Sequence, residues 1–442
     1  MKAHIRQLTR AGLIHDEMTM RDLNIRDEFY VVNLYEQETG RVFEGLGGAA
    51  TESAAHVFYA MPEDKQEQLL DFYFGAGADY RYLRVSIDSC DFSVAHYEAM
   101  SNPDDKELAS FSLKHDEMEI IPFIKRAEEK AGRKLPILLS PWSPPAFMKT
   151  TGQRNRGGKL KDEYREMWAE YICRYIEGYQ AHGLVIKYVT VQNEPNATQS
   201  WDSCIYTGEE ERVFVRDYLA PALKKHGLDV GVYIWDHNKE RVYARALESI
   251  QEDTMDVIEG VAFHFYTGDH FKALDLVQKR FPEKKLIFTE GCMEYSRPDI
   301  GRDTWYHAMK YAHEYIGDID HGTTMLFDWN LYLDQQGGPN HVQNFCSAPV
   351  MCDVNTKEII QNHSQKAIAL IGQTAVPGST HIASSAWHPD IETVAFKHED
   401  GTASILLLNR GKLPLKVKPV WLNQVAECEL PAESLTSITF KD

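Results

Sequence analysis

Between residues 43 and 330 the chain repeats one pattern eight times: a short, almost continuous apolar run, then a longer stretch with helical spacing. Runs of that kind are strands covered on both faces, and strands alternating with helices build parallel βα units. The eight runs are Phe43–Gly48, Tyr82–Ile87, Pro136–Ser140, Lys187–Gln192, Gly231–Trp235, Gly260–His264, Leu286–Glu290 and Thr324–Trp329. Eight such units close on themselves, so the expected α/β fold is a (β/α)8 TIM barrel over residues 42–368.

The intervening helices carry readable ends. One starts near Pro62, buries Leu69, Leu70 and Tyr73, and stops at Gly75 or Gly77. Another is expected over Asp116–Ala131, closing at Gly132, and the longest over Lys161–His182. Thr207 and Glu210 have the spacing of a capping box. From about residue 374 the pattern changes to strand-like stretches, Thr393–Lys397, Ser404–Asn409 and Leu435–Phe440, with no helical spacing after Ala367–Ile371. Segments before residue 42, among them Phe29–Tyr35, also read as strands. The tail therefore reads as an antiparallel β-domain, with which the first segments can pair.

Composition narrows the partners. A formal charge of −19 with no basic block disfavours nucleic acid and anionic membrane surfaces. The 8 Trp, 22 Tyr and 19 Phe include more rings than packing alone asks for, and aromatic faces stack on sugars. A small neutral carbohydrate is the expected partner. Met1–Arg10 has no apolar core of a leader behind it and no later stretch reaches membrane length, which makes a cytoplasmic protein without a membrane anchor the expectation. Seven scattered cysteines without a C-x-x-C pair read as reduced thiols. Eighteen histidines contain no H-E-x-x-H, and neither a metal nor a cofactor is expected.

Two glutamates end strand-like runs: Glu194 in Gln192-Asn-Glu-Pro195 and Glu290 in Phe288-Thr-Glu-Gly291. Strand ends of this kind meet at the mouth of a barrel. A pair of carboxyls about 5–5.5 Å apart cleaves a sugar acetal with retention of configuration, and a gap of about 6.5–9.5 Å gives inversion. Around them, Asn193 can donate its amide to a sugar 2-hydroxyl. Arg84 fits two roles equally, holding the second glutamate ionised or bridging barrel carboxylates. Tyr266, two residues past His264 at the end of strand six, reads as a hydrogen-bond partner of Glu290 or a loop aromatic. Trp329 reads as a sugar floor or a core residue, Trp142 as a binding-loop residue in a proline-rich turn, and Asp91 as a hydroxyl acceptor or an acidic cap.

These residues lie within ordered motifs. Gly45-Leu-Gly-Gly-Ala-Ala-Thr-Glu52, Cys90-Asp-Phe-Ser93, Leu139-Ser-Pro-Trp-Ser-Pro-Pro145, Gln192-Asn-Glu-Pro195, Ala262-Phe-His-Phe-Tyr266, Phe288-Thr-Glu-Gly-Cys292 and Asp328-Trp-Asn330 follow one another, with Asn344 beyond. Together they resemble glycoside hydrolase family 30, a family of retaining (β/α)8 β-glycosidases that includes glucosylceramidases. The resemblance implies Glu194 as acid/base, Glu290 as nucleophile, and a −1 sugar pocket of Asp91, Trp142, Asn193, Tyr266, Trp329 and Asn344, with Arg84 and His264 in support. It also implies an accessory antiparallel β-sandwich built from both chain ends, residues 1–41 plus 369–442. The expected activity is exo-acting hydrolysis of terminal β-linked glucose from small glucosides or oligosaccharides, with a raised pKa on Glu194. A β-xylosidase or β-1,6-glucanase of the same family, a non-catalytic sugar-binding barrel and a metal-dependent hydrolase or lyase are the alternatives.

Overall fold

The computed structural model describes residues 1–296 and 299–441. Eight parallel strands close a barrel in chain order: β1 (Gly45–Ala49), β2 (Tyr82–Ile87), β3 (Ile137–Pro141), β4 (Ile186–Thr190), β5 (Gly231–Asn238), β6 (Ile258–His264), β7 (Lys285–Glu290) and β8 (Thr323–Asp328). Each expected strand is present, with its ends moved by up to three residues. Two of those moves matter. The β4 ladder stops at Thr190, so Glu194 does not end a strand; it lies in the following turn at φ +49°, where its N–H donates to the Asp236 carbonyl at 2.9 Å. Strand β5 runs on past Trp235 through a bulge. Ala262 pairs with Trp235 but Phe263 pairs with His237, and Trp235 and the skipped Asp236 adopt φ +74° and +47°. The extra residue turns Asp236 into the barrel.

Alternating inward side chains fill the barrel in layers. Leu138, Tyr188, Tyr233, Ala262, Ile287, Met325, Phe327 and the half-buried Tyr82 make the apolar layer. Gly47 of β1 leaves room for it, since a Cβ there would sit 2.8 Å from the Phe327 ring. One step toward the C-terminal ends of the strands the inward positions become polar: Arg84, Ser140, Thr190 and Thr289, all buried. A polar layer needs internal partners, and these residues find them in one another and in Asp236.

Most helix ends follow local chemistry. Pro62 caps Glu63–Tyr73, Gly132 ends Ile120–Ala131 in the left-handed conformation, and Thr207 and Glu210 exchange both bonds of a capping box. The helix expected from Asp116 begins only at Ile120, because the buried Asp116 carboxylate is taken by the hydroxyls of Tyr175 and Tyr179 at 2.7 and 2.8 Å. Those tyrosines belong to Arg165–Ala181, which follows a 3-10 turn over Asp162–Tyr164 instead of starting at Lys161.

Both chain ends enter one eleven-stranded sheet. Lys2–Thr9 pairs antiparallel with Ser434–Lys441, and Val31–Val42 with Thr380–Ala386. The sheet is mixed rather than wholly antiparallel, since Leu415–Trp421 runs parallel to Val31–Val42. Its core contains Ile5, Val32, Ile405, Leu407, Ile438 and Phe440. Helices Thr304–Asp320 and His363–Gly372 pack on each other and against this sheet, joining it to the barrel. No described helix is long and apolar enough to cross a membrane.

Candidate active site

At the C-terminal mouth of the barrel the fully buried Arg84 ties the site together. Its guanidinium donates to Glu290 Oε2 at 2.5 Å, Asp236 Oδ2 at 2.9 Å, Asn193 Oδ1 at 2.8 Å and Ser140 Oγ at 3.2 Å. Burial acts to lower the Arg84 pKa, but the charges of Asp236 and Glu290 outweigh it and the net direction is up. Tyr266 Oη donates to the other oxygen of Glu290 at 3.0 Å. Glu290 thus meets only donors, the pattern of an acceptor carboxylate held in a fixed orientation. Asn193, with its carbonyl end on Arg84, keeps its NH2 as the donor for anything bound above.

Glu194 has a different set of neighbours. Its Oε1 lies 3.5 Å from His237 Nδ1 and 3.6 Å from His264 Nδ1, and Gln199 Nε2 donates to Oε2 at 3.3 Å. Burial pushes the Glu194 carboxyl up, yet the neighbouring His237 and His264 win and hold it well below the usual carboxylate range. This reverses the raised pKa expected from the sequence, and the histidines are the reason. Burial acts to lower His264 as well, but the Glu290 charge and the closeness of Asp236 and Glu194 push it up to about 9. The resting proton of the cluster therefore sits on the imidazole facing Glu194. Asp236 Oδ1 accepts from Thr289 at 2.6 Å and lies 3.1 Å from His264 Nε2, so one carboxylate braces both the Arg84 and the His264 sides. Burial opposes its charge, but Arg84 and His264 keep it below the usual range.

Glu194 and Glu290 line one cavity of about 160 Å³. Every pocket residue expected from the sequence lines it too: Asp91, Trp142, Asn193, Tyr266, Trp329 and Asn344. Trp142 and Trp329 stack with ring centroids 5.2 Å apart, and Arg84 lies 4.8 and 5.4 Å from the two rings. Asp91 Oδ2 accepts from Asn344 Nδ2 at 3.2 Å and Asn340 Nδ2 at 3.4 Å. Burial, joined by the Glu290 charge, pushes Asp91 up to about 8. Arg84 holds both of the roles its position allowed, bonding Glu290 and bridging to Asp236.

Sequence reasoning missed Asp236, His237, Gln199, Trp201, Glu294 and Asn340. Glu294 lines the same cavity and is pushed up to about 7 by burial and by the charges of Asp299 and Glu194. Trp201 packs beside the Trp142–Trp329 cluster. Its loop is anchored by the buried Arg154, which bonds Asp202 at 3.2 Å, Asp88 at 3.1 Å and the Ser89 carbonyl at 3.2 Å. The loops after β2, β3 and β4 are so tied into one rim. Only a signal such as the polar run Trp235-Asp-His-Asn238 at a strand end pointed toward the missed pair Asp236 and His237.

The sequence matches the profile of the glycosyl hydrolase family 30 TIM-barrel domain over residues 43–372, and that of the glycosyl hydrolase family 30 beta sandwich domain over residues 378–438. It is 30% identical over 407 residues to lysosomal acid glucosylceramidase of Mus musculus, covering 88% of this chain and 79% of that protein. The crystal structure of SrfJ from Salmonella typhimurium superposes with a TM-score of 0.96 at 33% identity, over 100% of both chains. The endo-beta1,6-glucanase BT3312 does so with a TM-score of 0.86 at 25% identity, again over 100% of both. With its barrel and its sandwich matched in order by two profiles of one family, the chain belongs to glycosyl hydrolase family 30 and is a glycoside hydrolase.

Proposed function

We propose that this hydrolase is a retaining, exo-acting β-glycosidase that releases terminal β-linked glucose from small glucosides or oligosaccharides. The observation that carries the reading is the pairing of Glu194 and Glu290 around one small cavity with opposite sets of neighbours. Glu290, oriented by Arg84 and Tyr266, attacks the anomeric carbon and forms a glycosyl ester. Glu194 draws the proton held by its imidazole neighbours and passes it to the leaving oxygen. In the second half Glu194 takes a proton from water, and the hydroxide attacks the anomeric carbon and frees Glu290. The Asn193 amide donates to the 2-hydroxyl, a bond that strengthens as positive charge develops on the ring.

The cavity volume of about 160 Å³ falls below the roughly 300–1,000 Å³ of pockets that enclose drug-sized ligands, which supports one sugar ring at a chain end. The relatives' names, glucosylceramidase and endo-1,6-glucanase, share a gluco-configured substrate. Gln199 lies on the Glu194 side, where a leaving group must sit, and Trp201 and Glu294 line the same cavity. One indole and two polar groups favour a hydroxylated leaving group over an acyl chain, which would strand the Glu294 carboxyl without water.

Proton NMR of an aryl β-glucoside during hydrolysis tests the reading. The β-anomer of glucose should appear first and mutarotate later. Initial α-anomer would overturn retention, and hydrolysis of xylosides but not glucosides would overturn the glycone. Release of oligosaccharides instead of glucose from β-1,6-linked gluco-oligosaccharides would replace exo with endo action.

A further inference from the structure

We propose that Glu194, His237 and His264 form a binding site for a zinc-type divalent cation, which inhibits hydrolysis reversibly by occupying the acid. The inhibition rests on Glu194 being that acid; the site itself rests on geometry alone.

Glu194 Oε1, His237 Nδ1 and His264 Nδ1 all lie within 4.8 Å of one another, with the two carboxylate–imidazole separations at 3.5 and 3.6 Å. Two nitrogen or oxygen ligands on a tetrahedral zinc, each bonded at about 2.0–2.2 Å, stand roughly 3.3–3.6 Å apart. Two of the three spacings already suit the ion. Both Nδ1 atoms are buried and lack a hydrogen-bond partner among the described residues, although His264 is fully buried and His237 is 9% exposed. Buried polar atoms are normally satisfied, and two unsatisfied ones aimed at one carboxylate oxygen mark a place for a shared ligand.

The surroundings fit as well. The second nitrogen of His264 lies 3.1 Å from Asp236 Oδ1, the carboxylate–imidazole pairing that orients a metal-bound histidine. Thr190, Thr289 and Arg84 hold Asp236 in turn. The carboxylates of Asp236 and Glu290 share one guanidinium and Glu194 faces the two imidazoles, so once an imidazole gives up its proton a cation in its place restores the balance of charge. Two imidazoles and one carboxylate select zinc-type ions over calcium or magnesium, which take oxygen donors. Three protein ligands leave a fourth position toward the cavity for water. An entering cation replaces the imidazole proton and binds the Glu194 oxygen, so Glu194 can neither give nor take a proton.

Cobalt(II) alone, titrated into the intact protein, reports coordination directly, and zinc(II) added to an aryl β-glucoside assay reports inhibition. The expected result is one equivalent of cobalt with the intense visible bands of four-coordination, displaced by zinc. Zinc should suppress hydrolysis and a chelator should restore it. His237→Ala, or the milder His237→Gln, should abolish the cobalt bands and raise the zinc concentration for half-inhibition by more than the roughly 10–100-fold that loss of an outer-shell partner costs. Six-coordinate cobalt in the parent protein, or the same bands in both variants, would overturn the site. Cys292 and Cys346 line the same cavity, so a thiolate-to-cobalt band, or loss of zinc sensitivity in Cys292→Ser, would also overturn it. Four-coordinate cobalt with hydrolysis unaffected would uphold the site and overturn Glu194 as the acid.

Discussion

At the scale of single residues, the chemistry follows from what each carboxyl touches. Glu290 meets an arginine and a phenol; Glu194 meets two imidazoles and an amide. Removing the proton donor should therefore slow the first, glycosylation step only where the leaving group needs a proton. Glu194→Gln is expected to lower kcat/KM by about 10²–10⁴-fold on an alkyl β-glucoside and far less on a dinitrophenyl β-glucoside. Equal losses on the two would contradict the role. Most of these residues were legible because strand ends point into a barrel mouth, which placed Glu290, Tyr266 and Trp329 from spacing alone. Asp236 was not legible. It follows Trp235 in a run that alternation assigns to the outer face, and only the bulge, with two residues at positive φ, brings it inside beside Arg84. The missed His237, together with Asp236 behind His264, also explains the wrong direction expected for Glu194. Without Asp236, nothing in the sequence says that His264 keeps a proton.

At the scale of elements, the barrel strands were readable because burial on both faces leaves little choice of residue. The loops were not, since their order comes from contacts distant in sequence. Arg154 shows the cost of such order. It is buried against Asp88 and Asp202 and fixes the loop that carries Gln199 and Trp201. Arg154→Met is expected to leave two buried carboxylates unpaired and to cost about 3–5 kcal/mol of stability. Urea denaturation checks this, and a midpoint within error of the parent would contradict the clamp. Lys149, pushed down to about 8 by burial, donates to the Arg154 and Ser203 carbonyls and stiffens the same rim. The strand Gly12–Thr19 escaped notice because nearly all of it is exposed at the sheet edge, so it carries no alternation of apolar and polar residues.

At the scale of the whole molecule, both chain ends close one sheet, and the C-terminal strands were readable where apolar residues recur between turns. The parallel pairing of Leu415–Trp421 with Val31–Val42 was not, because strand direction across a long connection leaves no mark in composition. Buried ionisable groups also set how the fold responds to pH. Burial pushes Asp328 up to about 8, and Asp91 is raised to about 8 by burial and the Glu290 charge. His264, despite burial, is raised to about 9 by Glu290 and Asp236. In each case the folded state holds a proton that the unfolded chain gives up, above about 3.8 for the aspartates and about 6.5 for the histidine. Stability from these groups should fall as pH rises, with His264 adding to the decline between about 6.5 and 9. A melting temperature that drops from pH 6 to pH 9, less steeply in Asp328→Asn, is the expected outcome; a flat or rising profile would contradict it.

The central claim is that the two glutamates share one anomeric carbon and that Glu290 bonds to it. Incubation with 2-deoxy-2-fluoro-β-D-glucosyl fluoride, followed by proteolysis and mass spectrometry, addresses this most directly. A fluoroglucosyl ester on Glu290, forming as activity is lost, is the predicted result. Label on another carboxyl, or continued hydrolysis of a β-glucoside with no ester formed, would contradict it.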